Sequence, residues 1–213
     1  MLHTSFFKKY CLLAILVCVQ GGLSAQTPTD EPPCLFDALY PSGTLQAAEA
    51  RIGAALGQMK VAGASENSDD IRIIPVVVHV IHNGGSENIS KAQIERQIEI
   101  LNEDYGKLPG TPGDGAGVDT RVRFCLAKTD PQGRCTDGIV RLKTTLTTHQ
   151  PVDRATLKNL SFWDNTRYLN MYVVKSISGN VGGYSSFPYS PPDEAGLVVR
   201  HNLFGENGRA ATS

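Results

Sequence analysis

The sequence has almost no net charge and no long apolar run beyond its N-terminus, and each of these absences excludes a class of protein. In 213 residues, 20 basic and 21 acidic side chains give a formal charge of −1. This balance excludes a basic field for nucleic acid and the self-repulsion typical of disordered chains. Beyond the N-terminus no apolar run approaches the roughly 20 residues that a membrane-spanning helix needs. With 41% hydrophobic residues, the chain is predicted to form one globular domain or a small domain with an appendage.

Short catalytic motifs are also missing. The chain has no H-E-x-x-H, C-x-x-C, G-x-S-x-G or Walker loop, and no G-x-G-x-x-G after a strand. His79 and His82 lie in a predicted strand, where an odd spacing places side chains on opposite faces. We therefore expect His79 to be a hydrogen-bonded core residue and His82 a turn residue, and His149 and His201 are isolated. The chain as given is predicted to contain no catalytic residue and no metal ligand set.

Residues 1–25 have the pattern of a signal peptide. Lys8 and Lys9 supply the positive region, residues 10–19 the apolar region, and Leu23-Ser24-Ala25 a cleavage site. The apolar region is too short to span a bilayer. We therefore expect a secreted protein, periplasmic or extracellular, with no membrane contact after cleavage.

Three cysteines remain after export, in an oxidising compartment. Cys125 and Cys135 flank a turn between two predicted strands, so a cross-hairpin disulfide is feasible if both side chains share a face. Cys125 as a buried free thiol and Cys135 paired outside this chain are the alternatives. Cys34 is the third of these cysteines and has no predicted partner. We interpret it as an unpaired thiol, and the alternative is a thiolate that blocks a metal.

The chain changes character near residue 71. Residues 26–70 are rich in Pro, Ala, Gly and acidic residues, with one helical stretch at 44–60, and are predicted to be a leader and linker. A β-branched run at residues 71–81 then predicts a strand buried on both faces. Ser90 as N-cap and Gln93 as its capping-box partner predict a helix over 90–105, packed on the sheet.

The remaining pattern predicts an α/β (α+β) layer whose sheet is mostly complete. Strands are expected at about 121–128, 138–142, 168–175, 183–187 and 196–200, with a short helix over 153–160. The last but one strand suits a sheet edge, because it alternates aromatic with small residues and ends at a proline. An edge strand can bind an extended peptide, and its residues are Gly183, Tyr184, Ser185, Ser186 and Phe187.

Taken in order, these segments resemble the pappalysin family of secreted zinc metallopeptidases, in the metzincin clan. The resemblance covers about residues 71–213, and no single segment is diagnostic. The matching stretches are 74–85, 89–94, 101–105, 123–127, 130–133, 136–141, 168–173, 183–188, 204–205 and 208–209.

The resemblance implies a metzincin-like upper subdomain, which is a twisted mixed sheet with a backing helix and an active-site helix. In the family the segment after Gly-Arg enters that helix, whose H-E-x-x-H-x-x-G-x-x-H supplies three zinc ligands and a general base. Here the helix is missing, because the chain ends at Ser213, about where the first ligand would fall. We therefore expect one sheet face to be uncovered.

The resemblance also assigns roles to other segments. Residues 183–187 become the cleft-rim strand, along which a substrate peptide lies antiparallel. Residues 26–70 become a propeptide, in which Cys34 is a candidate inhibitory zinc ligand. The implied cofactors are zinc and possibly calcium, and the implied partner is a peptide or protein substrate. Oligomeric state stays open.

Three functions compete on this basis. The first is the N-terminal part of a secreted zinc endopeptidase, inactive as given because the metal motif is absent. The second is a secreted, non-enzymatic peptide-binding module that has lost the metal, with Ser213 at the ligand position in its favour. The third is an exported adhesion or carbohydrate-binding sandwich. The many predicted strands agree with this fold, whereas the capped helix at 90–105 does not agree well with it.

Overall fold

A computed structural model describes residues 42–61, 70–186 and 194–205. The predicted signal peptide, Cys34, Phe187 and Ser213 lie outside these ranges. In the described ranges, no helix is long and apolar enough to cross a bilayer. The elements in chain order are α1 (Ser42–Val61), β1 (Arg72–His82), α2 (Lys91–Gly106), β2 (Val122–Leu126), β3 (Ile139–Lys143), β4 (Thr148–His149), a 3₁₀ turn (Pro151–Asp153), α3 (Arg154–Lys158), β5 (Leu169–Val174), β6 (Ser176–Ile177), β7 (Gly183–Ser185), β8 (Leu197–Arg200) and a second 3₁₀ turn (His201–Leu203).

β1 is the centre of a six-stranded mixed sheet. Its burial on both faces confirms the prediction from its β-branched sequence, since residues 76–81 are all buried. β5 pairs with one side of β1, β8 pairs with β5, and all of these strands are parallel. β7 is the last strand in the sheet and pairs with β8 in antiparallel orientation. β4 and β6 form a separate two-stranded sheet.

β2 and β3 do not form the hairpin that was expected. Both pair in parallel with the same side of β1, β2 along its first half and β3 along its second. The 11 residues of β1 leave room for two five-residue strands in series. The connection between them is a small loop closed by a bridge between Thr129 and Cys135.

This arrangement places Cys125 and Cys135 in different surroundings. Cys125 lies opposite Pro75 in the sheet, whereas Cys135 lies opposite Thr129 in the loop. Both are free thiols in the structure, Cys125 half-buried and Cys135 exposed. No disulfide joins them in the structure, and the pairing suggested by the sequence stays a prediction.

α2 begins where the sequence predicts. The Ser90 side chain accepts a hydrogen bond from the Gln93 backbone N–H at 3.1 Å, which confirms the N-cap. Ile94 and Ile98 are buried against alternate residues of β1. The Gln93 side chain, expected to close the capping box, donates its amide hydrogens elsewhere in the fold.

The other face of the sheet is covered as well, so the expectation of a bare face is wrong. Tyr172 and Val174 of β5 are fully buried there with Ile81, under Leu157 of α3 and Ile177 of β6. α3 and the loop that follows it cover this face, and the Tyr172 hydroxyl donates to the Ser161 carbonyl in that loop at 3.0 Å. A mostly parallel sheet with a helix on its face also excludes the antiparallel sandwich.

Candidate functional site

β7 is the edge strand of the sheet over the residues that the structure describes. Within them it pairs with β8 alone, in a register that places Tyr184 opposite Val198. The strand was predicted over 183–187, and the structure ends it at Ser185, with Ser186 directly after it. The predicted edge position is therefore observed, over three residues.

Two hydrogen bonds fix which backbone groups of this segment face β8. The Ser186 N–H donates to the Gly196 carbonyl at 3.3 Å, and the Arg200 N–H donates to the Gly182 carbonyl at 3.0 Å. Hydrogen bonding alternates from residue to residue along an antiparallel pair. Residues 182, 184 and 186 therefore face β8 with their backbone groups.

The backbone N–H and C=O groups of Gly183 and Ser185 consequently point outward. Gly183 is required at its position because a Cβ there would lie 2.8 Å from the Val198 carbonyl oxygen. Two outward-facing residues, spaced two apart, are the arrangement with which an edge strand binds an added strand.

Tyr184 anchors β7 from behind. Its side chain is buried among the core residues of the face opposite α2. Its hydroxyl shares a hydrogen bond of 2.5 Å with His149 Nε2, and the two rings stack with centroids 5.7 Å apart. Burial lowers the pKa of His149 to about 4, an effect opposed by the Asp153 carboxylate and reinforced by Lys158. His149 is therefore neutral near pH 7.

Lys158 is a second anchor, at the end of β7. This lysine of α3 is fully buried. Its ammonium donates to Ser186 Oγ at 3.1 Å, to the Gly196 carbonyl at 3.4 Å and to the Glu194 carbonyl. It thereby ties the residue after β7 to the residues before β8.

An apolar cavity of about 790 Å³ opens beside this strand. It lies across the start of β1, β5 and β8 and the end of β7. Its walls include Ile74, Leu169 and Leu197, with Arg167 and Ser185 as polar members. The candidate edge thus borders a concave surface large enough for peptide side chains.

The last described residues are fastened to α2. Gln93 Nε2 donates to the carbonyls of His201 and Phe204 at 3.2 and 2.7 Å, and the Gly205 N–H donates to Gln97 Oε1 at 2.7 Å. Phe204 is buried in the core beneath α2. The chain therefore arrives at residue 205 in a fixed position beside the backing helix.

The described histidines have separate roles, and no three His, Cys, Asp or Glu side chains in the described ranges come together to hold a metal. His79 is buried, its Nε2 lies 2.9 Å from Asn170 Oδ1, and burial lowers its pKa to about 4. His82 Nδ1 accepts from a turn N–H. His201 Nε2 lies 3.2 Å from Ser86 Oγ. The described residues do not fit a zinc site.

Sequence reasoning found the edge strand but missed its supports. His149 was treated as isolated, and Lys158 and Gln97 were not singled out. Each acts through a contact with a residue 28 to 108 positions away. No local pattern carries that information.

Comparison with known proteins places this geometry in context. No protein-family model and no curated protein matches the chain. Among solved structures, mature mirolysin of Tannerella forsythia in complex with a cleaved peptide is 36% identical, with a TM-score of 0.57 over 66% of this chain. A complex of mirolysin with a compound gives the same values. A promirolysin mutant of Tannerella forsythia is 34% identical, with a TM-score of 0.60 over 75% of this chain.

These neighbours are metallopeptidases of the metzincin-type fold, and the mixed α/β sheet with its helices matches that fold. The predicted fold class is therefore confirmed. The chain spans 55 to 56% of the length of these neighbours.

Proposed function

We propose that this chain supplies the upper subdomain of a secreted zinc metallopeptidase of the pappalysin family, in which β7 holds the substrate as an added antiparallel strand. The observation that carries the proposal is the outward orientation of the Gly183 and Ser185 backbone groups at the sheet edge. The neighbour that contains a cleaved peptide supports a peptide as the partner.

Main-chain pairing suits a peptidase. The two outward residues of β7 offer two N–H donors and two C=O acceptors, and the substrate backbone has the same groups in every sequence. The adjacent cavity then receives substrate side chains. In this arrangement β7 aligns the peptide and the cavity selects among sequences.

Zinc is the metal that the resemblance implies, and it would supply the activated water for peptide hydrolysis. The described residues offer no ligand set, and the role of this chain in the peptidase is to hold the substrate. We place the metal ligands outside the described residues. Calcium is kept as a second proposed ion, without an assigned site.

The proposed domain organisation is a signal peptide at 1–25, a propeptide and linker at 26–70, and the catalytic part at 71–213. One comparison supports the propeptide. The share of this chain that matches rises from 66% with mature mirolysin to 75% with promirolysin.

The test begins with the coding sequence that follows the Ser213 codon. The proposal expects it to encode H-E-x-x-H-x-x-G-x-x-H. The protein expressed with that segment should cleave casein, lose activity to a zinc chelator and regain it with Zn²⁺. A Gly183→Val variant of that protein should raise KM, because β7 would be pushed from β8. A stop codon with no such motif in any frame would contradict the peptidase.

A non-enzymatic peptide-binding module is the second candidate. The observation in its favour is the intact edge strand, whose outward backbone groups can pair with a peptide without a metal. A module of this kind should bind peptides without cleaving them, and chelators should have no effect on the binding. The expression experiment above therefore distinguishes this module from the peptidase.

A further inference from the structure

The edge strand β7 is too short to hold itself in place. It has three residues and, over the described part of the chain, a single neighbouring strand. Short edge strands with one neighbour tend to fray, because few backbone hydrogen bonds offset the entropy of ordering them. Yet a strand that binds a peptide needs its outward groups at fixed spacing. The supports behind β7 therefore matter.

We propose that His149 and Lys158 are positioning residues for peptide binding, which hold β7 through Tyr184 and Ser186 so that the outward backbone groups of Gly183 and Ser185 stay aligned. This inference rests on the proposed function, since it concerns the same edge. It assigns a role to two buried polar residues that no sequence motif identifies.

The contacts come from the face opposite α2. His149 belongs to β4, which pairs with β6 in the small second sheet, and it reaches the Tyr184 hydroxyl at 2.5 Å. Lys158 belongs to α3 and reaches Ser186 Oγ at 3.1 Å, while its ammonium lies 5.8 Å from the centre of the Tyr184 ring. Two separate elements thus hold successive inward-facing residues of the edge segment.

Burial makes these contacts effective. A fully buried lysine is rare unless its ammonium is paired, and here it is satisfied by backbone and hydroxyl oxygens from both sides of the β7–β8 connection. Losing one of them leaves a polar group without a partner in an apolar surrounding, which costs more than the bond itself contributes. The geometry of β7 is therefore coupled to both anchors.

The chain offers a matched control in His79. Like His149, it is a buried histidine that bonds to a side chain and stacks on a tyrosine, here Tyr172 with centroids 4.7 Å apart. Its partners Asn170 and Tyr172 lie in β5, in the interior of the sheet. Removing it should weaken the fold without a selective effect on the edge.

The experiment measures amide hydrogen exchange by NMR in the full chain. In the variants His149→Leu and Tyr184→Phe we expect protection of the Tyr184 and Ser186 amides to fall about tenfold relative to the β1 amides. His149→Gln, which keeps a hydrogen-bonding group, should recover part of that loss. His79→Leu should lower protection across the sheet without singling out β7. Equal changes in β7 and β1 in the His149 variants would overturn the proposal.

Binding of a model peptide tests this inference separately from the proposed function on which it rests. The probe is acetyl-Thr-Val-Thr-Val-Thr-amide, an extended peptide of high strand propensity. In the wild type its addition should shift the Gly183 and Ser185 amide resonances, and His149→Leu should weaken that binding at least fivefold. Absent shifts in the wild type would contradict the role of β7 in the proposed function. Unchanged affinity in His149→Leu would overturn the positioning role of His149 and leave the proposed function intact.

Discussion

Protonation of His79 couples the stability of the fold to pH. Its ring is fully buried, and that burial lowers its pKa to about 4. In the unfolded chain the pKa returns to the ordinary value, about 6.5. Since the folded state binds the proton less tightly, His79 contributes stability that is present above pH 6.5 and lost as the pH falls toward 4.

We expect this titration to lower the free energy of unfolding by about 3 kcal/mol between pH 6.5 and pH 4. Urea unfolding at several pH values measures it. The variant His79→Gln keeps an amide donor for Asn170 but cannot titrate, so its stability should depend less steeply on pH, by about one proton. His149 titrates in both proteins and cancels in the comparison. Identical slopes would show that His79 does not carry the effect.

Gly205 is needed where the chain docks on α2. Its φ is +71°, and a Cβ there would lie 2.7 Å from the Gln93 carbonyl oxygen. Gly205→Ala should therefore destabilise the fold by about 2 to 3 kcal/mol, from backbone strain and from the clash. Gly133→Ala is the control, because Gly133 has a φ of +81° and open space around it. Equal losses of stability in the two variants would mean that the contact with Gln93 is unimportant.

The role of a single residue can be predicted from the sequence when its neighbours along the chain determine its environment. His79 lies inside a continuous apolar strand, so a core role followed directly. Gln93 stands three residues after an N-cap, so a capping role seemed to follow as well. Its amide instead meets carbonyls 108 and 111 residues away, because the tertiary fold brings that segment against α2.

Helix α2 begins at an exposed cap, and the cap can be tested alone. Ser90→Ala removes the acceptor for the Gln93 backbone N–H and should cost about 1 kcal/mol of stability. Ser90→Asp retains an acceptor and should stay close to the wild type. Thermal and urea unfolding followed by circular dichroism measure both. A loss with Asp as large as with Ala would indicate that the serine acts through another contact.

The loop between β2 and β3 makes a prediction about thiols. Cys135 is exposed and Cys125 half-buried, and both are free in the structure. A thiol reagent should modify Cys135 quickly and Cys125 slowly in the native chain, and Cys135→Ser should remove the fast phase. If neither thiol reacts until a reductant is added, the disulfide proposed from the sequence is the correct alternative.

The elements themselves were largely predictable, whereas their pairing was not. β1 and α2 have strong local signals, namely a β-branched run and a capped amphipathic helix. β2 and β3 are close in sequence and separated by turn residues, so a hairpin was the natural expectation. Their parallel pairing with β1 depends on the length of β1 and on long-range contacts, which no local pattern reports.

The molecule as a whole combines an edge strand that is held from behind with an open apolar cavity. β7 is held from behind by α3 and β4, and residues 201–205 are held against α2. The cavity of about 790 Å³ borders the end of β7 and the starts of β1, β5 and β8. In the proposed peptidase, the chain described here fixes the position of the substrate and of the segment that leads toward the metal ligands.

This chain and a longer protein that contains the zinc ligands should differ in how metal removal changes their thermal stability. In the described ranges no three His, Cys, Asp or Glu side chains come together to hold a metal, and we expect the 213-residue chain to unfold at the same temperature with and without a chelator. A protein extended by a zinc-binding helix should instead lose thermal stability on chelation, because a metal bound only by the folded state adds its binding free energy to folding. Calorimetry of both proteins, with Zn²⁺ added back, measures the difference. A chelator-induced shift in the 213-residue chain would locate a metal site within it, and would require ligands from the ranges that the structure does not describe.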